Sequence, residues 1–314
     1  MGATFAEERG LTKSRSSGGL KVGRPSFLWS LPAVTYFALF ALVPLGVVAW
    51  LSFTSWDAIG SPHWVGTANW KAMFSDPVFL QSFRITGLLV LLGVVTQTPI
   101  SLLLGVWAAG KERNRAVLSA LYFIPLLMST VAIGVVWSSL LGPYFGLPHE
   151  LHWLFGGALF NHGFLLSSPA TAFGVLTFVG MWQWTPFHTL IYQGGARAIP
   201  ETLYQAAAID GAGRVRQFFY ITLPQLRNTM VTSVVLMIVG GLTTFDTILI
   251  ITQGQPGTAT TATSYYMYEK AFQSFQFGNA SVIAVVLAVV ATLVALIIVR
   301  FSGWDKMRSA QEGV

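Results

Sequence analysis

Six apolar runs constrain this chain of 314 residues more than any other feature. They lie at about 27–53, 84–109, 116–141, 170–192, 228–252 and 281–301. A membrane helix needs roughly 20 apolar residues. In hydrocarbon, backbone polar groups are satisfied only within helices or closed barrels. The expected fold class is therefore all-α: a polytopic membrane protein with six transmembrane helices. Composition agrees, with 54% hydrophobic and only 10% charged residues, where a soluble domain carries about 25% charged. The first run is too long for a signal-peptide core and lacks a small-residue cleavage site. The expected organisation is a cytoplasmic tail over 1–26, a six-span domain over 27–301 and a second cytoplasmic tail over 302–314.

Positive charge sets the expected orientation. Arg9, Lys13, Arg15, Lys21 and Arg24 fall in the first tail, and Lys111, Arg113 and Arg115 between the second and third runs. Arg197, Arg214, Arg216 and Arg227 flank the stretch between the fourth and fifth runs, and Arg300, Lys306 and Arg308 close the chain. These fifteen of 18 Lys+Arg lie on one side, leaving Lys71 and Lys270 on the other and Arg84 at a span boundary. Both termini and the 199–224 stretch are expected to be cytoplasmic. The net charge of +6 is then topological, and no nucleic-acid partner is expected. The chain has no cysteine, which excludes disulfides and thiolate metal sites.

The 199–224 stretch, Ile-Pro-Glu-Thr-Leu-Tyr-Gln-Ala-Ala-Ala-Ile-Asp-Gly-Ala-Gly-Arg through Ile-Thr-Leu-Pro, is the longest polar interruption in the second half. Locally it predicts two short helices. Pro200 suits a first helical turn and Glu201 the positive end of the helix dipole. Ala206, Ala207 and Ala208 form helix well and leave a partner room to approach. Asp210-Gly211 supplies a turn, where Gly211 allows a path that a side chain would obstruct. A second helix is expected from about Gly213 until Pro224 stops it.

That run resembles the signature loop of the membrane subunits of binding-protein-dependent ABC importers, in particular the carbohydrate (maltose-type) permease family. The matching residues are Gln205-Ala206-Ala207, Asp210-Gly211-Ala212, Phe219 and Ile221-Thr222-Leu223-Pro224, with Ile199-Pro200 and Leu203-Tyr204 flanking them. Gln205 departs from the family's usual Glu, which removes a salt bridge to the ATPase from the expectation but not docking by shape. The resemblance extends to Ser52-Phe53-Thr54 with Trp56, Val65 to Trp70, Asp76-Pro77-Val78-Phe79, Phe123-Ile124-Pro125, Phe245-Asp246, Gly254 to Gly257 and Phe277 to Ala280. It covers about residues 27–301.

The resemblance implies a non-enzymatic subunit in the plasma (inner) membrane, coupled to the ATPase through Tyr204, Gln205, Ala206, Ala207, Asp210, Gly211, Ala212, Arg214, Phe219 and Pro224. Implied partners are a second homologous permease subunit, a cytoplasmic ATP-binding cassette ATPase dimer, an extracytoplasmic sugar-binding protein and membrane lipid. ATP and Mg would reside on the ATPase and no cofactor on this chain, which contains no Gly-x-x-x-x-Gly-Lys-Ser/Thr run.

Polar groups within spans are costly unless they face a cavity or a neighbour. Gly180, Gln183, Trp184 and Phe187 share one helical stripe, with Trp182 and His188 off it. Met237, Gly241, Thr244 and Phe245 have similar spacing in the next run. In maltose-type permeases these two helices hold the sugar near the midplane, so the resemblance implies a substrate path along Gly180, Gln183, Trp184, Phe187, Gly241, Thr244, Phe245 and Asp246. Aromatic faces and hydrogen-bonding groups suit a sugar. Helix–helix packing is the other reading of the same Gly, Thr and Gln positions, and a partner subunit could hold most of the site. Asp246 is the one carboxylate deep within an expected span, open to a structural, gating or ligand role. The absence of Arg and Lys from the span interiors favours a neutral sugar over an anion.

Outer-loop aromatics, Trp56, Trp64, Trp70 and Phe74, then Tyr144, Phe145, Trp153 and Phe155, suit an interfacial belt or a docking surface. His149, Glu150 and His152 lack a third histidine or cysteine for a metal site, so no metal is expected. An ion-coupled secondary transporter is the alternative function, carried by Asp246 and His188. A membrane-embedded enzyme would need a catalytic constellation that the residues do not supply.

Overall fold

The computed structural model describes residues 27–110, 113–142, 146 and 165–302. The tail cations from Arg9 to Arg24, Lys111, Lys306, Arg308, the aromatics Tyr144, Phe145, Trp153 and Phe155, and His149, Glu150 and His152 lie outside the described residues. The chain divides into two compact units, residues 1–44 and 45–314.

A turn at Phe27–Trp29 leads into α1, Leu31–Leu51, with no buried residue in its most apolar stretch. Pro44 would clash with the preceding turn of a regular helix. A π turn at Ala38–Leu42 ends two residues before it, closed by the Val43 amide on the Ala38 carbonyl, and widens the helix where the ring needs space.

The second unit opens with a two-stranded ribbon, β1 (Thr54–Ser55) against β2 (His63–Trp64), antiparallel with Thr54 opposite Trp64. A short helix α2 (Ala68–Phe74) follows. Asn69 Nδ2 donates to the Ser52 and Thr54 carbonyls at 3.0 and 2.8 Å, and Trp70 Nε1 donates to Ser52 Oγ at 3.2 Å. Phe53 stacks on Trp64, and Trp70 stacks on Phe74. Trp64 and Phe74 stay exposed while Trp70 is half-buried, so the loop between α1 and α3 combines ring packing with an exposed aromatic rim.

The long helix α3, Pro77–Ala108, has 32 residues and starts seven residues before the apolar run suggests. Its cap explains the early start: Asp76 Oδ1 accepts from the Val78 amide at 2.9 Å, with Pro77 in the first turn. The single span expected over 116–141 is instead three pieces, α4 (Arg113–Tyr122), α5 (Ile124–Leu127) and α6 (Thr130–Leu140). Pro125, in the first turn of α5, lacks an N–H and crowds the turn before it, where the helix breaks at Phe123, and Met128 and Ser129 are extended, with ψ of 146° and 137°.

Helix α7, Pro169–Arg197, has 29 residues and buries Gln183, Thr185, His188 and Thr189. The loop helices are α8 (Glu201–Ile209) and α9 (Arg214–Gln225), followed by α10 (Arg227–Leu242), bent by 66° from α9. The run expected over 228–252 breaks at 243–245 and resumes as α11, Asp246–Ile251. Hydroxyls take up the freed carbonyls: Thr243 and Thr244 donate to Gly240, and Ser264 donates to the Thr244 carbonyl. Asp246, expected deep in a span, is exposed in the first turn of α11, where the dipole favours a carboxylate. Helix α12 (Thr263–Tyr268) and a π turn at Glu269–Gln273 lead to α13, Phe277–Ser302.

Among the described residues, α1, α3 and α13 are each long and apolar enough to cross a membrane, and α9 with α10 makes a fourth candidate. Their exposed apolar side chains suit a lipid environment. Helices α3 and α7 meet closely at Gly105, where a Cβ would lie 2.6 Å from Tyr192 Cβ and 2.9 Å from the Thr189 carbonyl. Thr86 Oγ1 and Thr263 Oγ1, 3.0 Å apart, join α3 to α12. The central cluster includes Ile85, Ile133, Val179, Ile248 and Tyr265.

Candidate functional site

The polar arm over 199–225 is built in layers. Pro200 stands immediately before α8, with Glu201 in its first turn. The helix ends in a two-bond cap: the Ala212 amide donates to the Ala207 carbonyl at 2.8 Å and the Gly211 amide to the Ala208 carbonyl at 3.0 Å. This cap places its C′ residue in left-handed backbone, and Gly211 has φ +76°. A Cβ there would meet nothing within 4 Å. The requirement for glycine at 211 therefore comes from the backbone angle rather than from obstruction.

Pro224 does not stop the second helix. A π turn at Phe218–Thr222 again ends two residues before the proline, closed by the Leu223 amide on the Phe218 carbonyl. The helix runs on to Gln225 and the chain bends at Leu226. This is the arrangement that precedes Pro44.

Side chains tie the arm together and root it. Tyr204 Oη lies 2.9 Å from Thr222 Oγ1, and Gln217 Nε2 donates to the Ala212 carbonyl at 2.9 Å. Ile199, Phe218 and Leu223 pack on the buried trio Leu102, Tyr192 and Leu226 from α3, α7 and the elbow. At Gly195 a Cβ would be 2.6 Å from Thr229 Oγ1, so the end of α7 touches the start of α10. The outer surface of the arm is free: Gln205, Ala206, Asp210, Arg214 and Phe219 are exposed. Ile209, Val215 and Tyr220 are 86%, 72% and 77% exposed. A cleft of about 230 Å³ lies between the two loop helices, lined by Ala207, Asp210, Ala212, Arg216 and Tyr220 among others. All ten residues expected to couple to an ATPase thus fall on one rooted, two-helix arm.

The expected substrate-path residues divide. Gln183 is buried, with Nε2 donating to Thr130 Oγ1 at 2.9 Å, while Trp184 is exposed and meets Phe187 edge to face. The stripe of four therefore does not present one surface. Gly180 has open space around it, whereas a Cβ on Gly241 would lie 2.8 Å from Val90 Cγ2, a helix-packing position. Thr244 is held in the 243–245 break, and Phe245 lies against Tyr268, with centroids 5.1 Å apart. His188 Nδ1 meets Ser233 Oγ at 3.0 Å and joins α7 to α10. Among the described residues no cluster of three His, Asp or Glu could hold a metal.

One group, at the start of α3, was not legible from the sequence. Asp76 Oδ2 accepts from Tyr266 Oη at 2.5 Å and lies 3.5 Å from Lys270 Nζ. Burial opposes charge on Asp76, but the Tyr266 hydroxyl, the Val78 amide and Lys270 outweigh it and hold the carboxyl below its ordinary value. The Asp76-Pro77 pair signals a helix cap; its partners, about 190 residues away, leave no local signal.

Apolar helices long enough to cross a membrane, joined by a structured polar arm, define a membrane-embedded helical protein. The family described as "Binding-protein-dependent transport system inner membrane component" matches residues 101–303, and the chain belongs to it. The chain is 30% identical over 295 residues to the probable ABC transporter permease protein YesP of Bacillus subtilis, covering 90% of this chain and 91% of that protein. It is also 30% identical over 283 residues to the trehalose/maltose transport system permease protein MalF of Thermococcus litoralis, covering 88% and 93%. The crystal structure of a bacterial alginate ABC transporter, in complex with an alginate pentasaccharide-bound periplasmic protein, contains a chain of the same fold. Its TM-score is 0.77 at 21% identity, covering 90% of this chain and 96% of that one. The ion-coupled alternative is not favoured, since the family is binding-protein-dependent.

Proposed function

We propose that this chain is the transmembrane permease subunit of an ATP-driven importer of a neutral sugar. It pairs with a second permease subunit to form the pathway, receives sugar from an extracytoplasmic binding protein and docks a separate ATPase dimer on the 199–225 arm. ATP and Mg are held by that ATPase. The chain crosses the inner membrane six times with both termini cytoplasmic, the third span being the broken α4–α6 segment and the fifth comprising α10 and α11. The observation that carries this reading is the arm. Its exposed apolar tip at Ile209 and Val215 is linked through Tyr204–Thr222 to a root shared with α3 and α7. A push on such an arm is delivered to the spans rather than absorbed by a loose loop. The sugar assignment draws on the relatives named for trehalose/maltose, diacetylchitobiose and multiple-sugar transport.

Trp184, Phe187, Thr244 and Phe245 line the proposed path near the midplane, with Gly180 leaving space, Gln183 bracing α7 on Thr130 behind it and Gly241 setting the α3–α10 spacing. The test is reconstitution of the chain with its copurified partners in liposomes. Sugar uptake should require ATP and the binding protein, and should survive an ionophore. Uptake that collapses with the ionophore and ignores ATP would contradict the proposal.

A further inference from the structure

A polar cavity of about 550 Å³ opens on the side of the molecule that carries the first outer loop, lined by Ser55, Trp56, Asn69, Gln276 and Asn279 among others. That volume is within the roughly 300–1,000 Å³ of small-molecule sites. Its walls come from segments more than 200 residues apart and are fixed. Asn69 commits both Nδ2 hydrogens to the Ser52 and Thr54 carbonyls, which sets the direction of its Oδ1 acceptor. The Phe277 amide donates to the Trp56 carbonyl at 3.0 Å. Gly278 runs against the Thr54 carbonyl with no room for a Cβ. Asn279 Nδ2 donates to Gln276 Oε1 at 3.0 Å, while Asn279 Oδ1 has no hydrogen-bond partner within the protein.

The lining is mainly amides and hydroxyls beside the Trp56 indole, with Asp57 and His63 as its titratable groups and Ile59 and Phe275 as its large apolar ones. This chemistry discriminates. Asp57 disfavours anions, one carboxylate with one imidazole falls short of a metal's ligand set, and the mainly polar walls do not suit an apolar ligand. Groups that both donate and accept, set next to an aromatic face, match the hydroxyls and C–H faces of a neutral saccharide.

A row of rings leads away from the cavity. Trp56 lies on Phe277 at 5.3 Å, Phe277 meets Phe272 at 5.8 Å, Phe272 meets Tyr268 at 5.5 Å, and Tyr268 meets Phe245 at 5.1 Å. Each of these five rings is at least partly exposed. The row ends at the 243–245 break, beside the proposed midplane path. We infer that the Trp56 cavity is an outer saccharide-binding station and that the Trp56–Phe277–Phe272–Tyr268–Phe245 row connects it to the break. The choice of ligand rests on the sugar-importer reading, while the site itself stands on the cavity and the rings.

The test uses the full chain with its copurified partner subunits in lipid nanodiscs, without nucleotide or binding protein. Maltotriose, cellotriose and chitotriose are the neutral probes, trigalacturonate the acidic one, and binding is read by saturation-transfer NMR and calorimetry. At least one neutral trisaccharide should bind saturably and trigalacturonate should not. Trp56→Ala and Gln276→Ala should each weaken binding at least tenfold, with Trp56→Phe retaining most of it. Trp184→Ala should impair ATP-driven uptake but leave this binding in place. Absence of saccharide binding overturns the station. So does binding that Trp184→Ala removes and Trp56→Ala leaves intact, a result that keeps the importer reading. So does undiminished trisaccharide binding by Trp56→Ala. Trisaccharide binding through Trp56 without ATP-driven uptake of any saccharide would support the station and sink the importer reading instead.

Discussion

The Tyr204 hydroxyl lies 2.9 Å from the hydroxyl of Thr222, which is itself buried at 3% exposure. That contact joins the exposed first helix of the arm to the root of the second. Tyr204→Phe removes it at a cost of about 1 kcal/mol. Amide exchange over 201–209 should speed up while exchange within α7 stays unchanged. Sugar uptake per ATP hydrolysed should fall, although the ATPase still copurifies.

Gly211 tests the backbone-angle argument. With φ +76°, a non-glycine residue pays roughly 1–2 kcal/mol, and Asn less than a β-branched residue. Gly211→Asn should couple nearly normally, Gly211→Ala less well and Gly211→Val worst. Defects that grow with side-chain size, with Ala milder than Asn, would mean that bulk, not backbone angle, matters there.

Two glycines separate packing from pathway. Gly105→Ala forces a Cβ into Tyr192 and should destabilise by about 1–3 kcal/mol, seen as a lower melting temperature in detergent. Gly180→Ala fills open space and should leave the melting temperature unchanged. Gly180→Trp should block uptake at unchanged stability, the result expected of a position on the path.

Asp76 and Glu269 make opposite contributions to pH dependence. Asp76 is held below its ordinary value of 3.8, so its contribution is present above that value and lost as pH falls toward the lower folded pKa. Burial raises Glu269 above 4.5, with Lys270 offsetting part of the effect. Its contribution therefore fades as pH rises from 4.5 through the folded pKa. Melting temperature against pH should show a fall below about pH 3.8 that Asp76→Asn lacks. The shallower loss above pH 4.5 should vanish in Glu269→Gln.

Much of the arm was legible. Asp210-Gly211 announced the turn, the three alanines the first helix, and the spacing of the motif fixed where the arm lies. Pro224 was misread because a local rule stops a helix at proline, whereas the π turn at 218–222 makes room for the ring. The long apolar runs located the helices but not their breaks. Nothing near Thr244 signals that Ser264 will take up its carbonyl, and the Met128–Ser129 extension lies within an unbroken apolar run. Asp246, expected deep in a span, follows the 243–245 interruption that the continuous apolar run hides, and is exposed. The row from Trp56 to Phe245 joins rings far apart in the chain, so no periodicity could show it.

The native chain has no cysteine, so a single Ile209→Cys, at the 86% exposed tip of the arm, reports on one position. Cross-linking with a short thiol-reactive reagent in native membranes, followed by identification of the adduct, asks what the arm touches. The account predicts an adduct with an ATP-binding subunit, and reaction with a membrane-impermeant maleimide only after the cells are opened. Labelling of intact cells from outside, or an arm that transports sugar yet forms no adduct with any nucleotide-binding subunit, would contradict it.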